Sequence, residues 1–165
     1  MSSSRPVSRI PALGPRGEGW LFLQLLLILA IVAAALAFPS PVASSIEQMA
    51  RVVGLVVLVD GLIVFVLGVL TLGSSLSPLP APKASAELIE HGIYRFVRHP
   101  IYTGLMLAAL GGSIYAVSPL ALLLSGALAV VLDLKSRREE MWLRERFPGY
   151  AAYASRTRRF IPGIY

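Results

Sequence analysis

Four apolar runs set the layout of this chain. Trp20 to Phe38 is interrupted only by Gln24 and has the length of one membrane-spanning helix. Pro39 and Pro41 end it. Residues 39–50 then form a short external loop without Lys or Arg. Val52 to Leu72 is the second run and again fits a span. Ile101 to Val117 and Pro119 to Leu134 are two shorter runs, and the break at Ser118-Pro119 predicts a tight helical hairpin. Residues 73–100 are the longest polar stretch between runs; within it, Lys83 to His91 predicts a short helix capped by Ser85. From Lys135 onward, Met141, Trp142 and later aromatics alternate with charge at helical spacing. The last helix is therefore expected to continue into the membrane interface and to turn at Pro148-Gly149.

The pattern predicts an all-α polytopic membrane protein with about four transmembrane helices. These include a C-terminal helical hairpin, followed by a cytoplasmic interfacial helical tail. Three segments follow: a Ser-, Pro-, Gly- and Arg-rich leader over 1–18, expected to be disordered; two N-terminal transmembrane helices over 19–72; and a C-terminal half over 73–165 made of the polar loop, the hairpin and the amphipathic tail. The basic start before an apolar run also suits a secretory signal. The run is too long for that, and Phe38-Pro-Ser-Pro is a poor cleavage site, so a retained anchor is preferred.

Details inside the runs sharpen the picture. Trp20 is expected at the membrane interface. Gly54, Gly61 and Gly68 recur every seven residues and share one helical face, where small side chains permit close helix contact. Gly111-Gly112 allows the third helix to bend or pack closely. Asp60 falls near mid-membrane, where a carboxylate is expensive and is either a packing and hydrogen-bonding residue or part of a polar cavity.

Composition supports lipid as the solvent. Of 165 residues, 56% are hydrophobic and only 15% charged, against about a quarter charged in a soluble domain; mean hydropathy is +0.72. Cysteine is absent, which removes disulfides, thiolate metal sites and a cysteine nucleophile. Two histidines and few paired carboxylates argue against a protein-borne metal centre. The net charge of +6 has no nucleic-acid motif beside it, so nucleic acid is not expected as a partner. The basic residues gather in the leader, the 73–100 loop and the tail, and the turns at 39–50 and 118 have none. Four crossings with both termini cytoplasmic satisfy the positive-inside rule. All polar clusters then share one membrane face. The Ala/Arg/Gly/Leu-rich composition suggests a bacterial inner (plasma) membrane.

The densest chemistry lies in His91-Gly-Ile-Tyr-Arg-Phe-Val-Arg-His-Pro-Ile-Tyr-Thr-Gly104. Pro100 suits the first turn of a helix. His99 then stands at the helix entry, beside free backbone N–H groups that favour an acceptor-rich ligand. Folding the hairpin brings this segment against Lys135–Tyr153. Each residue also has a plainer role: His99 as a cap, Arg95 and Arg98 as headgroup anchors, the tyrosines Tyr94, Tyr102, Tyr150 and Tyr153 as an aromatic belt, and Glu139-Glu140 as partners for nearby arginines. Lys135, Arg137 and Arg138 serve equally as topology determinants, and Asp133 as a partner of Lys135 or Arg137.

Gly92-Ile-Tyr-Arg-Phe-Val-Arg-His-Pro-Ile-Tyr-Thr-Gly104 resembles the G-x-Y-x-x-x-R-H-P-x-Y-x-G signature of the isoprenylcysteine carboxyl methyltransferases, which the phospholipid methyltransferases share in similar form. Glu139-Glu140 followed by Phe147, Tyr150 and Tyr153 resembles the E-E…F-G…Y-x-x-Y pattern, and Arg159-Phe-Ile-Pro162 the closing R-x-I-P. The matches cover about residues 86–162. The resemblance implies an integral membrane enzyme that uses S-adenosylmethionine, releases S-adenosylhomocysteine and lacks a Rossmann unit. It implies that Ala86, Glu87, Leu88, Ile89, Tyr94, His99, Pro100, Ile101 and Tyr102 line the cofactor, with Glu139 at its charged end. A family arginine facing the substrate carboxylate aligns with Lys135, with Arg137 and Arg138 as alternatives; Lys is a point charge rather than a bidentate fork. Phe147-Pro-Gly-Tyr is also one residue shorter than the family spacing.

Methyl transfer needs alignment and exclusion of water more than a nucleophile on the protein. A carboxylate acceptor needs no base. An amine acceptor does, and Glu140 or His99 could serve. The expected function is therefore transfer of a methyl group to a lipophilic, prenylated or lipid acceptor entering from the bilayer. The alternatives are a phospholipid N-methyltransferase, a sterol reductase with a nicotinamide cofactor, and a non-enzymatic assembly or transport module. The acceptor's identity and the oligomeric state stay open at this level.

Overall fold

The computed structural model describes residues 10–41, 43–83 and 85–165. Five α-helices follow one another: α1 (Glu18–Ala37), α2 (Ser44–Leu72), α3 (Pro100–Tyr115), α4 (Pro119–Arg146) and α5 (Tyr150–Arg156). Short 3₁₀ turns occupy Gly73–Ser75 and Gly92–Arg95. Among the described residues no strand forms; a single isolated bridge pairs Val97 with Arg158.

Three helical stretches are long and apolar enough to cross a membrane: Glu18–Ala37, Ser44–Ser75 and Pro119–Arg146. With α3, which has 16 residues, they form a membrane-embedded bundle, and the chain is an integral membrane protein. Leu29, Leu70 and Leu123 are among many large apolar side chains left exposed on its outside, as expected where lipid replaces water.

Packing runs in two antiparallel pairs. The first joins α2 to α3 through glycines. A Cβ at Gly54 would fall on the backbone of Tyr115, one at Gly61 would lie 2.5 Å from the Ala108 nitrogen, and one at Gly111 would meet the backbone of Leu58. The seven-residue glycine face thus lets two backbones touch, the usual route to helix association in lipid. Gly112 by contrast faces open space. The second pair joins α1 to α4, with Ser118 Oγ donating to Ala34 O (3.1 Å) at one end and Lys135 Nζ donating to Gln24 Oε1 (2.7 Å) at the other. Ile31, Ala34, Ala121, Leu128 and Leu132 form the core between them, backed by Tyr102, Leu105 and Met106 of α3. Among the described residues, consecutive helices α1 and α2 share no extensive packing. Residues 38–41 and the 116–118 turn lie together at one end, where Ser40 N–H donates to Val117 O (2.9 Å). Loop 73–99 and the tail meet at the other.

Several local expectations change. Helix α2 begins at Ser44, so most of the expected 39–50 loop is helical; Glu47 in the first turn and its i,i+4 pair with Arg51 (2.7 Å) support the extension. The short helix over Lys83–His91 does not form in residues 85–91, because Glu87 N–H donates to Ser75 Oγ (3.1 Å) instead of to a preceding turn. Ser85 accordingly caps nothing. Trp20 is buried, with Nε1 donating to Pro11 O (3.1 Å). Part of the expected leader, residues 1–9, lies outside the described residues; residues 10–17 fold back instead, with Gly17 against the buried Pro80 and Arg16 O accepting from Ala81 N–H (3.3 Å). The continuation of α4 to Arg146 matches the sequence pattern.

Candidate active site

The polar end of the bundle encloses a cavity of about 400 Å³. One wall is the extended Ala86, Glu87, Leu88 and Ile89. A second is Tyr94, Arg98, His99, Ile101 and Tyr102 at the start of α3, and a third is Lys135, Glu139 and Leu143 of α4. Phe147, Tyr150 and Tyr153 line it on the loop and tail side; Leu21 and Gln24 of α1, Phe65 and Val69 of α2 and Leu105 of α3 line it farther into the bundle. The cavity therefore runs from a polar, aromatic mouth toward the lipid-facing helices.

Pro100 starts α3 at its first turn, as its missing N–H allows. His99 precedes it, but its side chain does not cap the helix. The imidazole instead lies between two adjacent glutamates: Nε2 is 3.3 Å from Glu140 Oε1 and Nδ1 is 3.9 Å from Glu139 Oε2. It stacks on Tyr102, with centroids 5.4 Å apart and planes within 3°, and Phe160 tilts against its other side. Tyr102 donates to Glu139 Oε2 (2.7 Å).

The two glutamates divide the work. Glu139 faces the cavity. Glu140 lies behind it, 4% exposed, held by Arg98 Nε (3.0 Å) and Arg159 Nε (3.2 Å). Arg98 also donates through Nη1 to Thr157 O (2.6 Å) and Ala154 O (3.0 Å), and Arg98 N–H and His99 N–H donate to Arg158 O and Arg159 O. The tail is thereby fastened to the entry of α3. Asp133 adds to the clasp by accepting from Arg137 (2.8 Å), Arg159 (3.3 Å) and Tyr165 (3.0 Å).

Lys135 is 1% exposed. Its Nζ donates to Gln24 Oε1 (2.7 Å) and Pro78 O (3.2 Å) and stands 5.1 Å from the Tyr102 ring centre. No carboxylate lies within ion-pair distance among the described residues. At the mouth, Tyr153 donates to Tyr94 O (2.8 Å) and Tyr94 to Gly68 O (3.4 Å). Burial holds the phenols of Tyr94, Tyr150 and Tyr153 well above the usual tyrosine range, so each stays neutral.

Of the residues singled out in the sequence, Ala86 to Ile89, Tyr94, His99, Ile101, Tyr102, Lys135 and Glu139 line the one cavity. Three do not. Pro100 is buried in the helix start, Arg138 leans over the Trp142 ring at 4.6 Å, and Glu140 sits in the ionic clasp. Gln24 went unnoticed as a site residue, although a lone amide in an apolar run is itself a signal. Arg98 belongs to the clasp rather than to a lipid headgroup.

Comparison with known proteins follows the same lines. The family model for phospholipid methyltransferases matches residues 49–149, more than half of the chain, and the chain belongs to that family. A probable protein-S-isoprenylcysteine O-methyltransferase from Oryza sativa subsp. indica is 34% identical over 119 residues, covering 68% of this chain and 61% of the relative. The cobalt-zinc-cadmium resistance protein CzcN of Cupriavidus metallidurans is 34% identical over 83 residues, covering 50% of this chain and 38% of that one. The solved structure of the eukaryotic intramembrane Ras methyltransferase ICMT superposes with a TM-score of 0.60 at 22% identity, covering 98% of this chain and 58% of that chain. This last likeness is one of fold. The chain spans less than two thirds of the length of each of these relatives.

Proposed function

We propose that this chain is a membrane methyltransferase that uses S-adenosylmethionine to methylate a carboxylate on a lipophilic acceptor. The observation that carries this reading is the pairing of Glu139 and Lys135 in one cavity that is polar and aromatic at one end and apolar at the other. The cavity's chemistry fits the donor. Glu139 presents a carboxylate to an ammonium group, while Leu88, Leu143 and Phe147 offer apolar surface to a purine. The 86–89 strip, Tyr94, His99, Ile101 and Tyr102 shape the space around it. When bound, S-adenosylmethionine supplies a sulfonium-activated methyl group and leaves as S-adenosylhomocysteine, so an acceptor carboxylate needs no base.

Lys135 selects the acceptor. Its ammonium touches only neutral oxygens and a ring face, with no described carboxylate in ion-pair contact, which favours an anion beside it and disfavours a cationic amine. Glu140, the base an amine would require, is engaged by Arg98, His99 and Arg159. These two features favour O-methylation over phospholipid N-methylation. The apolar end, lined by α1, α2 and α3, suits a prenyl or acyl chain entering from the bilayer. Four crossings, both termini cytoplasmic and a cytoplasmic active site in a bacterial inner membrane complete the proposal, supported by the clustering of Lys and Arg at the site's end of the bundle.

Calorimetry of S-adenosylmethionine and S-adenosylhomocysteine with purified protein, in detergent and in nanodiscs, tests it. Micromolar binding that Glu139→Ala abolishes is expected. A well-folded protein that binds neither compound in either medium would sink the proposal.

A further inference from the structure

Asp60 belongs neither to the cavity nor to the packing of the bundle. It stands near the middle of the 32-residue helical stretch Ser44–Ser75, more than about 20 Å of helix from either end at roughly 1.5 Å per residue. An aspartate side chain is too short to reach water over that distance. The residue is exposed on the outside of α2, and no described residue hydrogen-bonds or ion-pairs with it. A carboxyl group left facing hydrocarbon is expensive. Its surroundings are regular. Val53, Val56, Asp60, Ile63, Leu67 and Leu70 alternate steps of three and four residues, and all are exposed. That is the seam spacing of a left-handed helix pair. The glycines that hold α3 lie on another face, and so do Phe65, Val69 and Leu72, which line the cavity.

We propose that this stripe of α2 is the interface of a homodimer, in which Asp60 hydrogen-bonds to Asp60 of the partner subunit. Two copies inserted in the same direction are related by a two-fold axis along the membrane normal, so identical residues meet at equal depth. A foreign helix would need its own polar group at that depth; a second copy has one by construction. A neutral carboxyl, the form that hydrocarbon favours, is self-complementary. Its O–H donates to the carbonyl oxygen of its mate, and its own carbonyl oxygen accepts in return. A single polar residue in an otherwise apolar seam also fixes the register of the two helices. The contact thus sets alignment as well as association, and it does not depend on the methyltransferase function.

The chain has no cysteine, so single substitutions report proximity without interference. In oxidised lipid vesicles holding the full chain, Val56→Cys and Ile63→Cys are expected to give disulfide-linked dimers. Leu62→Cys, exposed on the opposite flank of α2, is expected to stay monomeric. Dimer affinity is read by energy transfer between labelled copies as the protein is diluted into lipid. Asp60→Leu is expected to weaken it by about fivefold to thirtyfold, and Asp60→Asn, which still donates and accepts, to restore most of it. A wild-type chain that stays monomeric at every dilution would overturn the proposal and point to a membrane partner with a basic residue at that depth. A dimer that Asp60→Leu leaves as tight as wild type, or one that cross-links through Leu62 instead of Val56 and Ile63, would overturn it as well.

Discussion

Lys135 Nζ lies 2.7 Å from Gln24 Oε1, and this contact joins the middle of α4 to the first half of α1 inside the bundle. The amide orients the cation without neutralising it. Gln24→Leu keeps the volume and removes the acceptor. It is expected to lower stability by about 1.5–3 kcal/mol, the range for a hydrogen bond to a charged group, and to raise the KM for the acceptor more than that for the methyl donor. Thermal unfolding and steady-state kinetics with each substrate varied would show both; equal effects on the two KM values would contradict the role given to Lys135.

The adjacent glutamates should respond in opposite ways. Glu140→Gln leaves Arg98 without a carboxylate and Arg159 with Asp133 alone, and is expected to cost about 3 kcal/mol, seen as a fall in unfolding temperature. Glu139→Gln removes a carboxylate held only by Tyr102 and His99. It should leave the fold nearly intact and abolish S-adenosylhomocysteine binding.

Small residues between α2 and α3 set a further contrast. Gly61→Leu forces a side chain into the backbone of Ala108 and is expected to prevent a folded bundle, monitored by gel filtration in detergent. Gly112→Ala, one residue from the equally crowded Gly111, meets open space and should be silent.

Val117 adopts φ 49° in the turn between α3 and α4, a conformation that a β-branched residue resists. Val117→Gly relieves that strain and is expected to stabilise the protein by about 0.5–1 kcal/mol. A lower unfolding temperature would show that the Val117 side chain contributes more than its backbone costs.

Much of the fold was legible because membrane helices announce themselves by length and hydropathy. The hairpin break at Ser118-Pro119 and the glycine face at Gly54, Gly61 and Gly68 were readable for the same reason: both act through one helix at a time. The cavity lining from Ala86 to Tyr102 became visible through short motifs. What stayed hidden depended on distant partners. Glu139 and Glu140 are indistinguishable as neighbours in a sequence, and only the arrival of Arg98 and Arg159 behind α4 separates a cavity residue from a clasp residue. Arg98 carried the same charge pattern as a headgroup anchor. The start of α2 at Ser44 was obscured because Glu47 and Arg51 read as loop polarity until their spacing places them on one helical face.

The separation of α1 from α2 bears on how the protein is made. Of the four long helices α1 emerges before the others, yet the helix it chiefly leans on is α4, and Gln24 waits 111 residues for Lys135. Helices α2 and α3 can zip together as soon as both are made, whereas α1 gains its main partner, and Gln24 its lysine, only with α4. Closing the bundle around α4 and walling the cavity are then a single late event. The cavity cannot be present in any intermediate that lacks α4.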